Sequence, residues 1–118
     1  MTEFVAILGA GKGTWSQVQQ TIDKGQFEKA IIFTNQFGKE KYSPNFTTEL
    51  IVLDFDKPVE ELTKDIYNSL KPRIQGIEIC LNMISGSGKE HMALVAAVMK
   101  LGVGFRLVTI TNKGFDEL

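Results

Sequence analysis

Two short glycine-rich stretches hold the residues best suited to gripping an anion: GAGKGT at positions 9–14 and SGSGK at positions 85–89. Each follows an apolar run and leads into helix-forming residues. The first turn of a helix presents N–H groups with no intrahelical partner, and the aligned peptide dipoles add partial positive charge there. Gly86 and Gly88 let a ligand approach the backbone, Ser85 and Ser87 flank it with hydroxyls, and Lys89 adds a full charge at the mouth. A phosphate suits such a place. In the first stretch Gly9, Ala10, Gly11 and Gly13 keep the backbone bare, Lys12 can neutralise a phosphate, and Thr14 and Ser16 can bind phosphate or ribose. Trp15 either stacks on a base or belongs to the core. His91, the single histidine, falls on the first helical turn beside the second stretch. It titrates near about 6.5 when unperturbed, so it is a general acid or base or an idle surface residue.

Neither stretch completes a familiar nucleotide signature. A Walker loop needs a glycine five places before Gly88, where Met83 stands, and a hydroxyl after Lys89, where Glu90 stands. The dinucleotide fingerprint G-x-G-x-x-G has Gly9 and Gly11, but Thr14 takes the third glycine's place and Gly13 comes one position early. The strand at 30–35 ends in Thr34 and Asn35 without the acid that holds a ribose, which argues against a classical NAD site, and no cofactor is expected. No metal site is expected, because no second histidine or cysteine pair stands at ligand spacing. Cys80, the only cysteine, lies in an apolar strand and reads as a small buried hydrophobe. Asp54 and Asp56 look first like strand-end and helix-capping residues.

These residues need a scaffold, and the apolar pattern supplies one. The 118 residues fit a single domain, 1–118, with a core of ordinary size. A formal net charge of −1 gives no global attraction to nucleic acid or to a membrane, so DNA binding is not expected and any phosphate site must be local. No apolar run approaches the roughly 20 residues that span a bilayer, and Met1 to Glu3 lead straight into a strand without a signal peptide, which points to the cytoplasm. Apolar runs at 4–8, 30–35, 50–55, 77–84 and 105–110 read as strands. Helical periodicity places Trp15, Val18 and Ile22 on one stripe, Val59, Leu62, Ile66 and Leu70 on another, and a third helix at 90–101. Residues 36–48 form a polar connection with at most a short helical turn, and the tail 113–118 is expected to fray.

Strands alternating with helices predict an α/β fold: a Rossmann-like three-layer sandwich with a mostly parallel central sheet of about five strands. Both glycine turns then belong at the carboxyl edge of that sheet, where ligands bind at the point at which strand order reverses. The helix segment MALVAAVM at 92–99 is apolar almost all round and needs cover on more than one side. The sheet provides one cover and a second subunit can provide the other, so a homodimer is expected.

In its motifs the chain resembles a CARF domain, the Rossmann-like ligand sensor of CRISPR-associated proteins. The resemblance runs over nearly the whole length. LGAGKGTWS at 8–16 resembles the family's first strand and small-residue loop, SGSGKEHM at 85–92 resembles its motif [ST]-G-G-[TS]-[KR]-x-M, and LGVGFRLVTI at 101–110 resembles its closing helix end and strand. Ser87 and Gly88 depart from the family order, and Met92 comes one residue late. The resemblance implies a homodimer that binds cyclic oligoadenylate across its two-fold axis in antiviral defence. The 85–89 turn would hold phosphates, and the 9–13 loop with Thr14 and Ser16 would line the ring. A chain of this length would be a stand-alone sensor or sink without a separate effector domain. The alternative the family offers is a metal-independent ring nuclease, in which a ribose 2′-hydroxyl attacks the adjacent phosphate in line. Lys89 would then stabilise developing charge, and Thr14, Ser16 or His91 would position the hydroxyl or move its proton. A mononucleotide-binding or protein-interaction subunit is the remaining reading.

Overall fold

A computed structural model of the chain describes residues 2–118. Six strands, β1 Glu3–Leu8, β2 Lys29–Thr34, β3 Thr48–Val52, β4 Glu78–Asn82, β5 Gly104–Thr111 and β6 Gly114–Glu117, form one sheet in the order β3-β2-β1-β4-β5-β6. The first five are parallel, and β6 runs antiparallel to β5. Helices α1 Trp15–Gly25, α2 Gln36–Lys41, α3 Val59–Leu70 and α4 Gly88–Leu101 fill the crossovers. The expected three-layer α/β sandwich is what forms.

The sheet builds two cores because β1 is apolar on both of its faces. Val5 and Ile7 join Ile31, Phe33, Ile79 and Leu81 beneath α3 and α4, whose Leu62, Ile66, Leu94 and Val98 close that layer. Phe4, Ala6 and Leu8 point the other way and pack with Ile32, Cys80 and Val108 under Trp15, Val18 and Ile22 of α1. Cys80 is a buried free thiol whose pKa is raised by loss of solvent, in keeping with a packing role. Among the described residues no helix is long and apolar enough to cross a membrane.

The structure differs from the sequence expectation at several element ends, each for a local reason. The tail does not fray. It turns at Gly114, which has φ +98°, and pairs as β6 along β5, while Phe115 packs on Phe27 at 5.8 Å between ring centroids. Strand β4 stops at Asn82 rather than running to 84. The buried Asn82 amide donates to the Val108 carbonyl at 2.9 Å, and its Oδ1 accepts the Ile84 N–H at 3.2 Å, which turns the chain and leaves Ile84 exposed. Strand β3 ends at Val52, and Asp54 Oδ1 then accepts the Asp56 N–H in a tight turn. Within the polar connection, Asn35 caps the short α2 by accepting the Gly38 N–H at 2.9 Å.

Strand order decides where a ligand can bind. From β1 the chain moves outward to β2 and β3, then returns to lay β4 on the opposite side of β1. The crevice at this reversal opens above the carboxyl ends of β1 and β4, and both glycine turns leave from those ends. Leu94, fully buried between α3 and the sheet, tests the packing. Leu94→Ala is expected to lower unfolding free energy by about 2–5 kcal/mol, whereas Phe46→Ala, at a fully exposed position, should shift it by less than about 0.5 kcal/mol in urea titrations.

Candidate functional site

The two glycine turns are clasped to each other. The Gly9 N–H donates to Ser85 Oγ at 2.9 Å, and the Trp15 indole N–H donates to the Gly9 carbonyl at 2.9 Å, so both backbone groups of Gly9 have partners. Ser85 is buried, and its own carbonyl accepts from His91 Nε2 at 2.7 Å, which fixes the proton on that ring nitrogen. The backbones touch: a Cβ added to Gly9 would lie 2.7 Å from Gly86 Cα. Gly86 itself sits at φ +103°, and a Cβ there would meet Ile7 at 2.8 Å. Glycine is therefore required on both sides of this contact.

Above the clasp lies a cavity of about 630 Å³. Its floor is backbone from both turns, at Gly9, Ala10, Gly11 and Gly13 and at Gly86 and Ser87. Apolar walls come from Phe55 and Ile84, and polar side chains from Thr14, Asn35, Asp56 and Glu90. The size falls in the range of small-molecule sites, about 300–1,000 Å³. Because Asn35 Oδ1 is used to cap α2, its amide N–H groups are what it can offer a ligand.

The charges fall differently from the sequence expectation. Helix α4 begins at Gly88, not at Glu90, because Ser87 and Glu90 form a capping box, in which Glu90 Oε1 accepts the Ser87 N–H at 2.9 Å; Glu90 Oε2 also accepts from Ser87 Oγ at 2.6 Å. A carboxylate of the chain itself thus takes up part of the positive end of α4, where the sequence pointed to an external phosphate. Lys89 turns away and donates to the Lys57 carbonyl at 2.8 Å. Lys12 lies over the Phe37 ring, 5.4 Å from its centroid. The lining consequently carries the carboxylates of Asp56 and Glu90 and no lysine or arginine.

Of the residues singled out in sequence, Gly9, Ala10, Gly11, Gly13, Thr14, Gly86 and Ser87 line the cavity. Lys12, Ser85, Gly88, Lys89, Ser16 and His91 do not: Ser85 and His91 act as struts behind it, and Ser16 is exposed on α1. Trp15 is buried core rather than a stacking platform. Asn35, Phe55, Ile84 and Glu90 were missed as lining, and Asp56 was read mainly as a cap. Asn35 and Asp56 each directly follow a strand end or its turn, which is the signal by which they could have been found. Among the described residues no group of three or more His, Cys, Asp or Glu side chains gathers as it would around an ion.

The Asp56 carboxylate as acceptor, donors at Asn35, Thr14 and the turns, and the apolar wall of Phe55 and Ile84 together suit a ligand that bears hydroxyl or amino donors beside an apolar or aromatic surface. Ser85→Ala would strand the buried Gly9 N–H and is expected to cost about 1–3 kcal/mol in chemical denaturation. Gly9→Ala, which drives a methyl into the Gly86 backbone, should cost at least as much. The sequence matches no protein-family model and no curated protein.

Proposed function

We propose that this chain is a cyclic oligoadenylate-binding domain of the CARF type, acting as a sensor or sink in antiviral defence and holding the ring across a homodimer. The observation that carries the reading is the backbone-floored cavity at the β1/β4 reversal, with carboxylate, amide, aromatic and aliphatic groups around one mouth. Each adenosine unit of such a ring presents a 2′-hydroxyl and an adenine amino group, either of which suits the Asp56 carboxylate. Its flat base suits Phe55 and Ile84, and its phosphate suits the N–H groups of the 9–13 turn. Lys12 and Lys89 sit outside the lining, so meeting a phosphate requires them to leave the Phe37 ring and the Lys57 carbonyl. Binding is favoured over ring cleavage. Of the four residues considered for catalysis, Lys89, His91 and Ser16 lie outside the cavity, and only Thr14 reaches it.

The test is calorimetric titration of cyclic tetra-adenylate and cyclic hexa-adenylate, with AMP for comparison, followed by a denaturing gel of the same samples. One of the rings is expected to bind and to remain intact. Gly11 lines the cavity and has open space where a Cβ would stand, so Gly11→Leu should abolish binding at an unchanged thermal midpoint. Asp56→Asn should weaken binding about tenfold, corresponding to about 1.4 kcal/mol. A linear product would convert the reading to a ring nuclease, binding of AMP alone would make the chain a mononucleotide binder, and failure of every nucleotide to bind would overturn it.

A further inference from the structure

The ligand cavity does not stop at β2. A second cavity of about 420 Å³ adjoins it over the carboxyl ends of β2 and β3, and Asn35, Phe55 and Asp56 line both. Its apolar wall is Val52, Leu53 and Phe55, its polar groups include Asn35, Asp54 and Asp56, and no lysine or arginine lines it. Asp54 spends Oδ1 on the Asp56 N–H, so Oδ2 is the acceptor it can offer a ligand. From β4 to β3 the strand ends cross three interstrand spacings, about 14 Å. Each cavity alone has the volume of a small-molecule site.

The wall between the two is held from three directions. The Leu53 N–H donates to the Thr34 carbonyl at 2.8 Å, which ties the exit of β3 to the end of β2. Lys89 of α4 donates to the Lys57 carbonyl at 2.8 Å, one residue beyond Asp56. Phe55 is partly buried against the core beneath α3 and α4. The divider is preorganised, so a ligand does not have to order it. The two cavities also differ in what they accept. The first offers the N–H groups of the 9–13 turn to a phosphate, whereas the second offers carboxylates with no cation beside them and so suits hydroxyl and amino donors. The acid that β2 lacks at its end is thus supplied one strand further out, by β3.

We infer that the second cavity is a subsite for a second nucleoside, through which the protein selects ligands at least two nucleosides long over mononucleotides. The inference rests on the nucleotide reading above and adds the groups that set ligand length. Ribose hydroxyls of the outer unit meet Asp54 and Asp56, its base lies along Val52 and Phe55, and the linking phosphate stays on the side of the 9–13 turn. A mononucleotide fills one cavity and leaves the other to water. A second unit joined to the first gains the outer contacts without a second association cost, because the linkage holds it at high effective concentration.

Calorimetric titration of the linear dinucleotide ApA against AMP, as its 3′ and 5′ isomers, tests the subsite. ApA is expected to bind at least about tenfold more tightly than either mononucleotide. Asp54→Asn keeps the oxygen that forms the turn and puts a donor in place of the other acceptor, and Val52→Trp fills the second cavity from an exposed strand end. Each should remove the gain for ApA while leaving mononucleotide affinity and the thermal midpoint unchanged. The same variants titrated with cyclic tetra-adenylate separate the sources: a matching loss seats a unit of the ring in the second cavity, and a loss confined to ApA seats an open chain there. Equal affinity for ApA and AMP, or variants that leave ApA untouched or weaken it and the mononucleotides alike, would overturn the subsite. Should a ring bind with both variants neutral, the functional reading stands and the subsite falls. If ApA behaves as expected and no ring binds, the subsite stands and only the ring reading is removed.

Discussion

The contact between Gly9 and Gly86 is the constraint from which the rest of the site follows. Two strands that neighbour in the sheet, but lie far apart in sequence, end in turns whose backbones touch, and the Gly9 N–H to Ser85 Oγ bond closes the gap. Side chains larger than hydrogen would hold those turns apart. With the turns together, the cavity floor is backbone, the α4 cap faces the same opening, and Ile84 is pushed out to the wall. The clasp is supported from both sides of the sheet, by Trp15 of α1 on one and by His91 of α4 on the other. A single indole and a single imidazole thus set the separation of two loops.

Electrostatics refine that picture. A glycine-rich turn opening a helix is an anion cradle only while its N–H groups remain unclaimed. In this chain Glu90 claims part of the cradle through a reciprocal cap, which strengthens the helix start and makes the pocket acidic. The lysines that sequence spacing placed beside the phosphate have found a backbone carbonyl and an aromatic face instead. The lining is therefore better matched to hydrogen-bond donors than to an isolated phosphate.

Much of the fold was legible because it depends on patterns a few residues long. The continuous apolar run at β1 required burial on two faces, and the stripe Leu62, Ile66, Leu70 required a helix against a sheet. What escaped depended on contacts between distant segments. The sixth strand is polar by composition, and what holds it on β5 is non-local: the backbone ladder that the turn at Gly114 sets up, the landing of Phe115 on Phe27 and the Arg106–Glu117 ion pair. The end of β4 was set by Asn82 reaching Val108, a bond between residues 26 positions apart. In the site, the turns were visible because glycine marks backbone approach, while the direction of a lysine stem depends on neighbours no local spacing encodes. Asp56 and Asn35 enter the lining from strands β3 and β2, and strand order alone brings them to β1 and β4.

The bond from the Trp15 indole to the Gly9 carbonyl gives the molecule an optical property. Trp15 is the only tryptophan in the chain, it is buried, and it is tethered to the first residue of the turn that floors the cavity. Its emission reports the polarity and hydrogen bonding at that one point, unmixed with signal from any other indole. A movement of the 9–13 turn too small to alter secondary structure would thus be recorded by intrinsic fluorescence, and the scaffold's own core residue doubles as a gauge of its loop.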